Sequence, residues 1–241
     1  MSAISKRLGE AAWTLAEQVD ALAFSPPVAH VYNPLDYARP AHRVYLERYG
    51  ATRKRIVFFG MNPGPFGMMQ TGVPFGEVAA VRDWMQINAT IERPRSEHPK
   101  RRIEGFACTR SEVSGRRLWA LFASRFTSAD EFFNAHFVVN YCPLVFLEAS
   151  GRNRTPDKLP AAEAAPLYAA CDDHLRDVIR ALEPEWVVGI GGFAKQRAHA
   201  VLGASAIRLG CVLHPSPASP AANRGWSAAA RQELVASGVW R

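Results

Sequence analysis

The chain alternates short, wholly apolar runs with longer stretches in which apolar residues recur every three or four positions. Leu8, Ala12, Leu15, Val19 and Leu22 fall on one helical face, so the spacing predicts an amphipathic helix ending at Pro26-Pro27. Arg55-Ile-Val-Phe-Phe-Gly60 predicts a buried strand that enters the loop Met61–Phe66. A helix is expected from Glu77 to Ile87, and the stretch from Arg93 to Arg102 reads as a basic loop. Thr109 with Glu112, and Ser128 with Glu131, have capping-box spacing, which places a helix start at each. His136-Phe-Val-Val-Asn-Tyr-Cys142 predicts a second strand that Pro143 stops. A polar loop should run from Ser150 to Pro160, and a long amphipathic helix from Pro160 to Leu182. Glu185–Gly191 predicts a third strand, Phe193–Leu202 a helix, Ala206–Leu213 a fourth strand, and about Ser227–Ser237 a last helix.

Strands alternating with helices specify a three-layer αβα fold, with a central four-stranded parallel sheet flanked by helices. No repeat or long linker divides the chain. It reads as a single domain, 1–241, with a helical extension at 1–50 packed on it. In such sheets ligand sites lie beyond the carboxyl ends of the strands. The unusual loops all follow strands: Met61–Phe66 the first, Asn140 the second, His214-Pro-Ser-Pro217 the fourth. One edge should therefore gather all three.

Composition narrows the function. With 48% apolar and 21% charged residues the chain can build a core rather than stay disordered. A net charge of +7 points to a polyanionic partner. From Trp186 to Gln232 there is no Asp or Glu, while Lys195, Arg197, Arg208, Arg224 and Arg231 occur; Arg93, Arg95, Lys100, Arg101 and Arg102 form a second basic cluster. Cys108, Cys142, Cys171 and Cys211 are far apart among apolar neighbours, as small buried hydrophobes would be. They offer no local ligand pair, so no metal site and no cofactor is expected, and a reducing compartment fits. No run reaches membrane length, and Met1–Asp20 lacks a signal-peptide core. The expectation is a soluble monomer, cytoplasmic in a bacterium or nuclear in a eukaryote.

Four side chains are candidates for chemistry. Asn62, fixed by Pro63, Gly64 and Pro65, either caps a turn or orients a water; a carboxamide can hold water but accepts its proton poorly. Phe75, between Pro74 and Gly76, is either a loop plug or a platform for a stacked base. Asn140 closes an apolar strand. Its amide is either satisfied by nearby backbone or presents a donor beside an acceptor, which matches the N3–H and O4 edge of uracil and opposes that of cytosine. His214 is either a packed core histidine or a stabiliser of negative charge on a departing base.

Gly60-Met-Asn-Pro-Gly-Pro-Phe66 with Gln70-Thr-Gly-Val-Pro-Phe-Gly-Glu77, and His214-Pro-Ser-Pro217 with Asn223-Arg-Gly-Trp226, resemble the two signatures of the single-strand-selective monofunctional uracil-DNA glycosylases. Ser111-Glu-Val-Ser-Gly115 and Asn140-Tyr-Cys-Pro-Leu144 fit as well, so the similarity runs in order from about Arg55 to Trp226. The resemblance implies the uracil-DNA glycosylase fold and release of uracil from DNA, single- or double-stranded. It makes Asn62 the water-positioning residue, Phe75 the stacking aromatic and Asn140 the pyrimidine reader. His214, with backbone N–H groups around Met61, would stabilise the leaving anion. Gly64 would leave room at C5 for an oxidised pyrimidine such as 5-hydroxymethyluracil. Pro217-Ala218-Ser219-Pro220-Ala221-Ala222-Asn223-Arg224 matches the wedge that fills the gap left by a flipped base. The family carries a basic residue where this chain has Ala218-Ser219. With no lysine or amino-terminal proline evident as a nucleophile, the reaction should stop at the abasic site.

Three rival readings exist. Gly189-Ile-Gly-Gly-Phe-Ala194 matches a dinucleotide-binding turn, but the acidic ribose ligand expected about 20 residues later is absent. A lesion sensor without catalysis would show the same basic patches, though it would need no Asn62, Asn140 and His214 together. A glycosylase for hypoxanthine or xanthine would use the same residues.

Overall fold

The computed structural model describes residues 1–241. Helix α1 (Ala3–Asp20) starts on the Ser2 hydroxyl and buries Leu8, Ala12, Leu15 and Val19. It is followed by β1 (Val28–Tyr32), α2 (Pro34–Tyr37) and α3 (Arg39–Tyr49), then β2 (Ile56–Gly60) and α4 (Met68–Thr71). The middle of the chain forms α5 (Val113–Arg125), α6 (Ala129–Ala135), β3 (His136–Asn140), β4 (Val145–Glu148) and β5 (Asn153–Arg154). It closes with α7 (Ala161–Leu182), β6 (Trp186–Ile190), α8 (Gly192–Leu202), β7 (Arg208–Val212), α9 (Pro220–Asn223) and α10 (Trp226–Ala236).

Four parallel strands in the order β3-β2-β6-β7 form the central sheet. Strands β2, β3 and β6 are buried along their whole length. That burial on both faces is why they read as unbroken apolar runs rather than alternations. Helices α1, α7 and α8 pack together, as do α5 and α10, giving the outer layers. Apolar packing runs continuously from Leu8 to Trp240. Gly60 pairs with Asn140 at the ends of β2 and β3, and Ile190 with Val212 at the ends of β6 and β7. The loops leaving β2, β3 and β7 therefore emerge along one edge, as expected. No helix is long and apolar enough to cross a membrane.

The segment 1–50 is not wholly helical, contrary to expectation. Strand β1 joins β4 and β5 in a separate antiparallel sheet of order β1-β4-β5. Strand β3 stops at Asn140, two residues short of the expected Cys142; past Pro143 the chain resumes as β4, and β5 lies inside the expected polar loop. The helix expected from Glu77 to Ile87 spans only 78–84, with Ala80–Trp84 π-helical, and Gln86 takes a left-handed φ of 54°. There the Met85 carbonyl accepts from Tyr49 Oη at 2.7 Å and Arg48 Nη1 at 3.0 Å instead of continuing a helix.

Of the two expected caps, one holds. Ser128 Oγ accepts from Glu131 N at 3.1 Å, and Glu131 Oε2 accepts from Thr127 N at 2.6 Å. Thr109 caps nothing: α5 begins at Val113 with Glu112 as its first flanking residue and no side-chain cap. Glu112 faces elsewhere, because its carboxylate accepts from Phe66 N at 3.1 Å in the loop after β2.

Candidate active site

The loops at the sheet edge enclose a cavity of about 360 Å³. Met61, Asn62, Gly64, Phe75, Asn140, His214 and Pro217 all line it, together with Met68, Glu112, Ser114, Asn153, Thr155 and Ser216. Residues as far apart in sequence as Met61 and Pro217 thus face one space, because the parallel register brings the ends of β2, β3 and β7 together.

Asn62 is locked by its surroundings. The chain after β3 zips onto the loop, with Tyr141 N donating to Gly60 O at 3.0 Å and Cys142 N to Met61 O at 2.8 Å. Asn62 Nδ2 then donates to Leu144 O at 3.2 Å. With the donor half engaged, the Oδ1 half of the amide is the one left to accept a hydrogen bond.

Phe75 sits at φ 52°, a conformation costly for a non-glycine residue and found where the surroundings enforce it. Its carbonyl accepts from Trp119 Nε1 at 2.9 Å and from Glu77 N at 2.7 Å. Gly115 of α5 packs so closely under that carbonyl that any Cβ there would collide with it. The ring lies over Gly60, where a Cβ would stand 2.5 Å from Cζ of Phe75 and 3.0 Å from Oδ1 of Asn140. A glycine ending β2 is therefore what lets ring and amide approach each other. The Phe75 and His214 rings lie 6.2 Å apart, tilted by 39°.

Asn140 is only 6% exposed. Its Nδ2 meets only the weak acceptor Met68 Sδ, at 3.2 Å, and its Oδ1 has no partner. A buried acceptor left unsatisfied costs about 1–3 kcal/mol, and this one lies on the cavity wall, where a donor on a bound group can reach it. His214 follows β7 by two residues. Burial alone lowers its pKa to about 4, so the imidazole is neutral at pH 7. Gly191, at φ 94°, leaves 3.0 Å between a Cβ at its own position and Cβ of His214. A Cβ on Gly189 would stand 2.6 Å from Lys195 N. Gly189 and Gly191 of the dinucleotide-like motif thus serve close packing between β6 and α8 and under His214. His136 shows the other fate of a buried histidine: Nδ1 donates to Phe132 O at 2.8 Å and Nε2 accepts from Trp240 Nε1 at 3.2 Å, both inside the core.

Two expectations need correction. Gly64 does not open empty space, since a Cβ there would stand 2.5 Å from Cδ of Glu112, whose carboxylate fills the gap. Burial raises the pKa of that carboxyl, the Phe66 N–H opposes the rise, and Glu77 adds to it. Within the segment expected to act as a wedge, Ala222 is 2% exposed and belongs to the core, so it anchors the turn rather than facing a partner. Pro217, Ala218, Pro220, Ala221, Asn223 and Arg224 are exposed and Ser219 is half-buried. Ser219 Oγ caps α9 by accepting from Ala222 N at 3.4 Å.

Part of the basic surface is also neutralised. Arg197 pairs with Asp172, and Arg208 with Glu185 at 3.0 Å. Arg101 donates to Gly151 O at 2.7 Å and lies over the Phe66 ring, which Arg110 covers at 4.0 Å. The sequence pattern marks Glu112, Asn153, Thr155 and Arg117 for no part in the cavity. Glu112 lay within a quoted motif but was assigned only a capping role. Nothing local distinguishes Asn153 or Arg117, whose contacts are with residues 90 or more positions away.

The model of the uracil DNA glycosylase superfamily matches residues 47–235. The chain belongs to the uracil DNA glycosylase superfamily. Within it, the chain is 47% identical over 93% of its length to the single-strand selective monofunctional uracil-DNA glycosylase of Rattus norvegicus, of which 82% is covered. The mouse protein of the same name is 46% identical, again over 93% of this chain and 81% of its own. Among solved structures, wild-type Pedobacter heparinus SMUG2 superposes with a TM-score of 0.65 over 95% of this chain and 97% of that one, at 16% identity. At that identity the likeness speaks for the fold alone, and it agrees with the three-layer superfamily architecture.

Proposed function

We propose that this superfamily member excises uracil from DNA as a monofunctional glycosylase, leaving an abasic site. The observation that carries the reading is the buried, unsatisfied amide of Asn140 in one cavity with Phe75, Asn62 and His214. A base in a duplex is inaccessible at its glycosidic bond, so it must be flipped out, at a cost of a few kcal/mol. Stacking on Phe75 and hydrogen bonds to Asn140 offset that cost: N3–H donates to Oδ1 and O4 accepts from Nδ2. Cytosine would set a donor against Nδ2 and an acceptor against Oδ1, leaving both amide atoms unpaired.

Cleavage is largely dissociative in this reading. The C1′–N1 electron pair leaves with the base, giving a uracil anion and an oxocarbenium sugar. The neutral His214 ring donates to O2 of the anion, and backbone N–H groups near Met61 add to it, each well-placed donor contributing roughly 3–4 kcal/mol. A water accepted by Asn62 Oδ1 adds to C1′ and loses a proton to solvent. No lysine lines the cavity, so no covalent sugar–enzyme imine forms and the strand stays intact.

The finer reading extends to oxidised pyrimidines. Glu112 beside Gly64 offers an acceptor to a hydroxyl donor at C5, such as that of 5-hydroxymethyluracil, whereas a thymine methyl would desolvate the carboxylate without replacing its hydrogen bond. The rat and mouse relatives are named single-strand selective. This chain, with Ala218-Ser219 in its wedge, is proposed to share that preference and to act as a monomer in the compartment that holds DNA. The test is incubation of end-labelled oligonucleotides containing uracil, 5-hydroxymethyluracil, thymine or hypoxanthine, single- and double-stranded, followed by alkali. Breaks at uracil that appear only after alkali are expected. Breaks without alkali would contradict the monofunctional reading, and intact strands throughout would leave a lesion sensor as the better account.

A further inference from the structure

Arg117 on α5 makes contacts that neither the excision chemistry nor the basic surface accounts for. Its Nη1 donates to Pro215 O at 3.1 Å and Ser216 O at 3.4 Å, and its Nη2 donates to Asn223 Oδ1 at 2.8 Å. Asn223 in turn donates from Nδ2 to Pro217 O at 2.9 Å. One planar guanidinium therefore holds both ends of the exposed segment that runs from the cavity wall through α9. A lysine ammonium cannot reproduce this fork, being a single point charge without the planar spread of donors. The same helix places Gly115 under Phe75 and is entered from Glu112 beside Gly64, so the segment is registered against the walls of the base cavity.

The geometry points to Arg117 as a positioning residue that pre-sets the segment Pro217–Arg224 for entry into a duplex; this rests on the glycosylase reading above. The wedge matters most where extruding a base leaves a gap opposite a paired partner, and least on a single strand, which has no such gap. Loss of the clamp therefore lowers the ratio of duplex to single-strand activity. Hydrogen bonds to a charged group are strong enough that the ratio should fall roughly 10- to 100-fold in Arg117→Gln. Arg117→Lys should lower it comparably, because it keeps the charge but not the fork. Asn223→Ala, at the exposed end of the clamp, should lower it as well.

The experiment measures single-turnover uracil release by the full chain from single-stranded and duplex oligonucleotides, over a range of salt. Alongside it, limited trypsin digestion follows the cut after Arg224, which should quicken in both Arg117 variants as the segment loosens. Uracil release from single strands by the unaltered chain tests the parent reading separately, and the digestion needs no activity at all. A duplex ratio restored by Arg117→Lys, with a salt slope lowered by about one charge in Arg117→Gln, would show a phosphate contact instead and overturn the proposal. So would an unchanged rate of cutting after Arg224, or an equal loss on both substrates.

Discussion

Gly60→Ala isolates the closeness of ring and amide from the rest of the site. The new Cβ would stand 2.5 Å from both Cε2 and Cζ of Phe75 and 3.0 Å from Oδ1 of Asn140. Comfortable carbon–carbon contact needs about 3.5 Å or more, so the ring must give way by roughly 1 Å. It cannot do so by moving its backbone, which Trp119 and Glu77 hold by hydrogen bonds and Gly115 backs directly. The ring must therefore rotate off its platform or push Asn140 aside. Misplacing a positioned group by about 1 Å costs on the order of 100-fold in rate. Overpacking itself costs about 1–3 kcal/mol of stability, which a core of this size can bear. Single-turnover uracil release from a single-stranded oligonucleotide, with thermal denaturation of the same sample, separates the two effects. The expected outcome is a folded protein with a modestly lower Tm and a rate reduced roughly 100-fold. A variant that denatures as expected yet releases uracil at the unaltered rate would refute the claim that Phe75 and Asn140 grip the base together.

Other outcomes follow from the same geometry. With the His214 pKa near 4, the saturated single-turnover rate should be flat from about pH 5.5 to 8; an inflection near the ordinary histidine pKa of about 6.5 would show that the imidazole titrates in the working range. Glu112→Gln should narrow the preference for 5-hydroxymethyluracil over thymine by roughly tenfold, measured as the ratio of kcat/KM, because a carboxamide accepts more weakly than a carboxylate; an unchanged ratio removes Glu112 from substrate selection. His42, His136, His174 and His214 are all lowered by burial to about 4. The unfolded chain binds protons at these sites below about pH 6.5 while the folded one does not, so their contribution to stability is full above pH 6.5 and is lost as pH falls toward 4. Urea denaturation between pH 7 and 4.5 should show that decline, and constant stability across the range would contradict it.

What the sequence made legible was what local pattern encodes. The runs Ile56–Gly60, His136–Asn140 and Trp186–Ile190 are buried on both faces, so they could be read without knowing their partners. The parallel order then implied that Asn62, Asn140 and His214 would meet at one edge. The second sheet was hidden because Val28–Tyr32 has only its two ends buried and Val145 resumes a strand just past Pro143. Glu112 was misread because its spacing from Thr109 suits a cap as well as it suits a reach across to Phe66, 46 positions earlier. Gly64 seemed to leave space because only the folded chain shows that Glu112 takes it up. The basic run after Trp186 overstated the free charge for a similar reason, since the partners of Arg197 and Arg208 lie at Asp172 and Glu185, just outside it.

The reader role of Asn140 is tested most directly by Asn140→Asp. The carboxylate keeps an acceptor for N3–H but turns a second lone pair toward O4, losing a donor and adding repulsion in a site only 6% exposed at this residue. Removing one hydrogen bond and leaving an acceptor unpaired there costs about 2–4 kcal/mol, a fall of roughly 30- to 1000-fold in uracil release. Single-turnover kinetics on matched uracil and cytosine oligonucleotides should show that fall together with a lower uracil-to-cytosine ratio. Uracil kinetics identical to those of the unaltered chain would contradict the account.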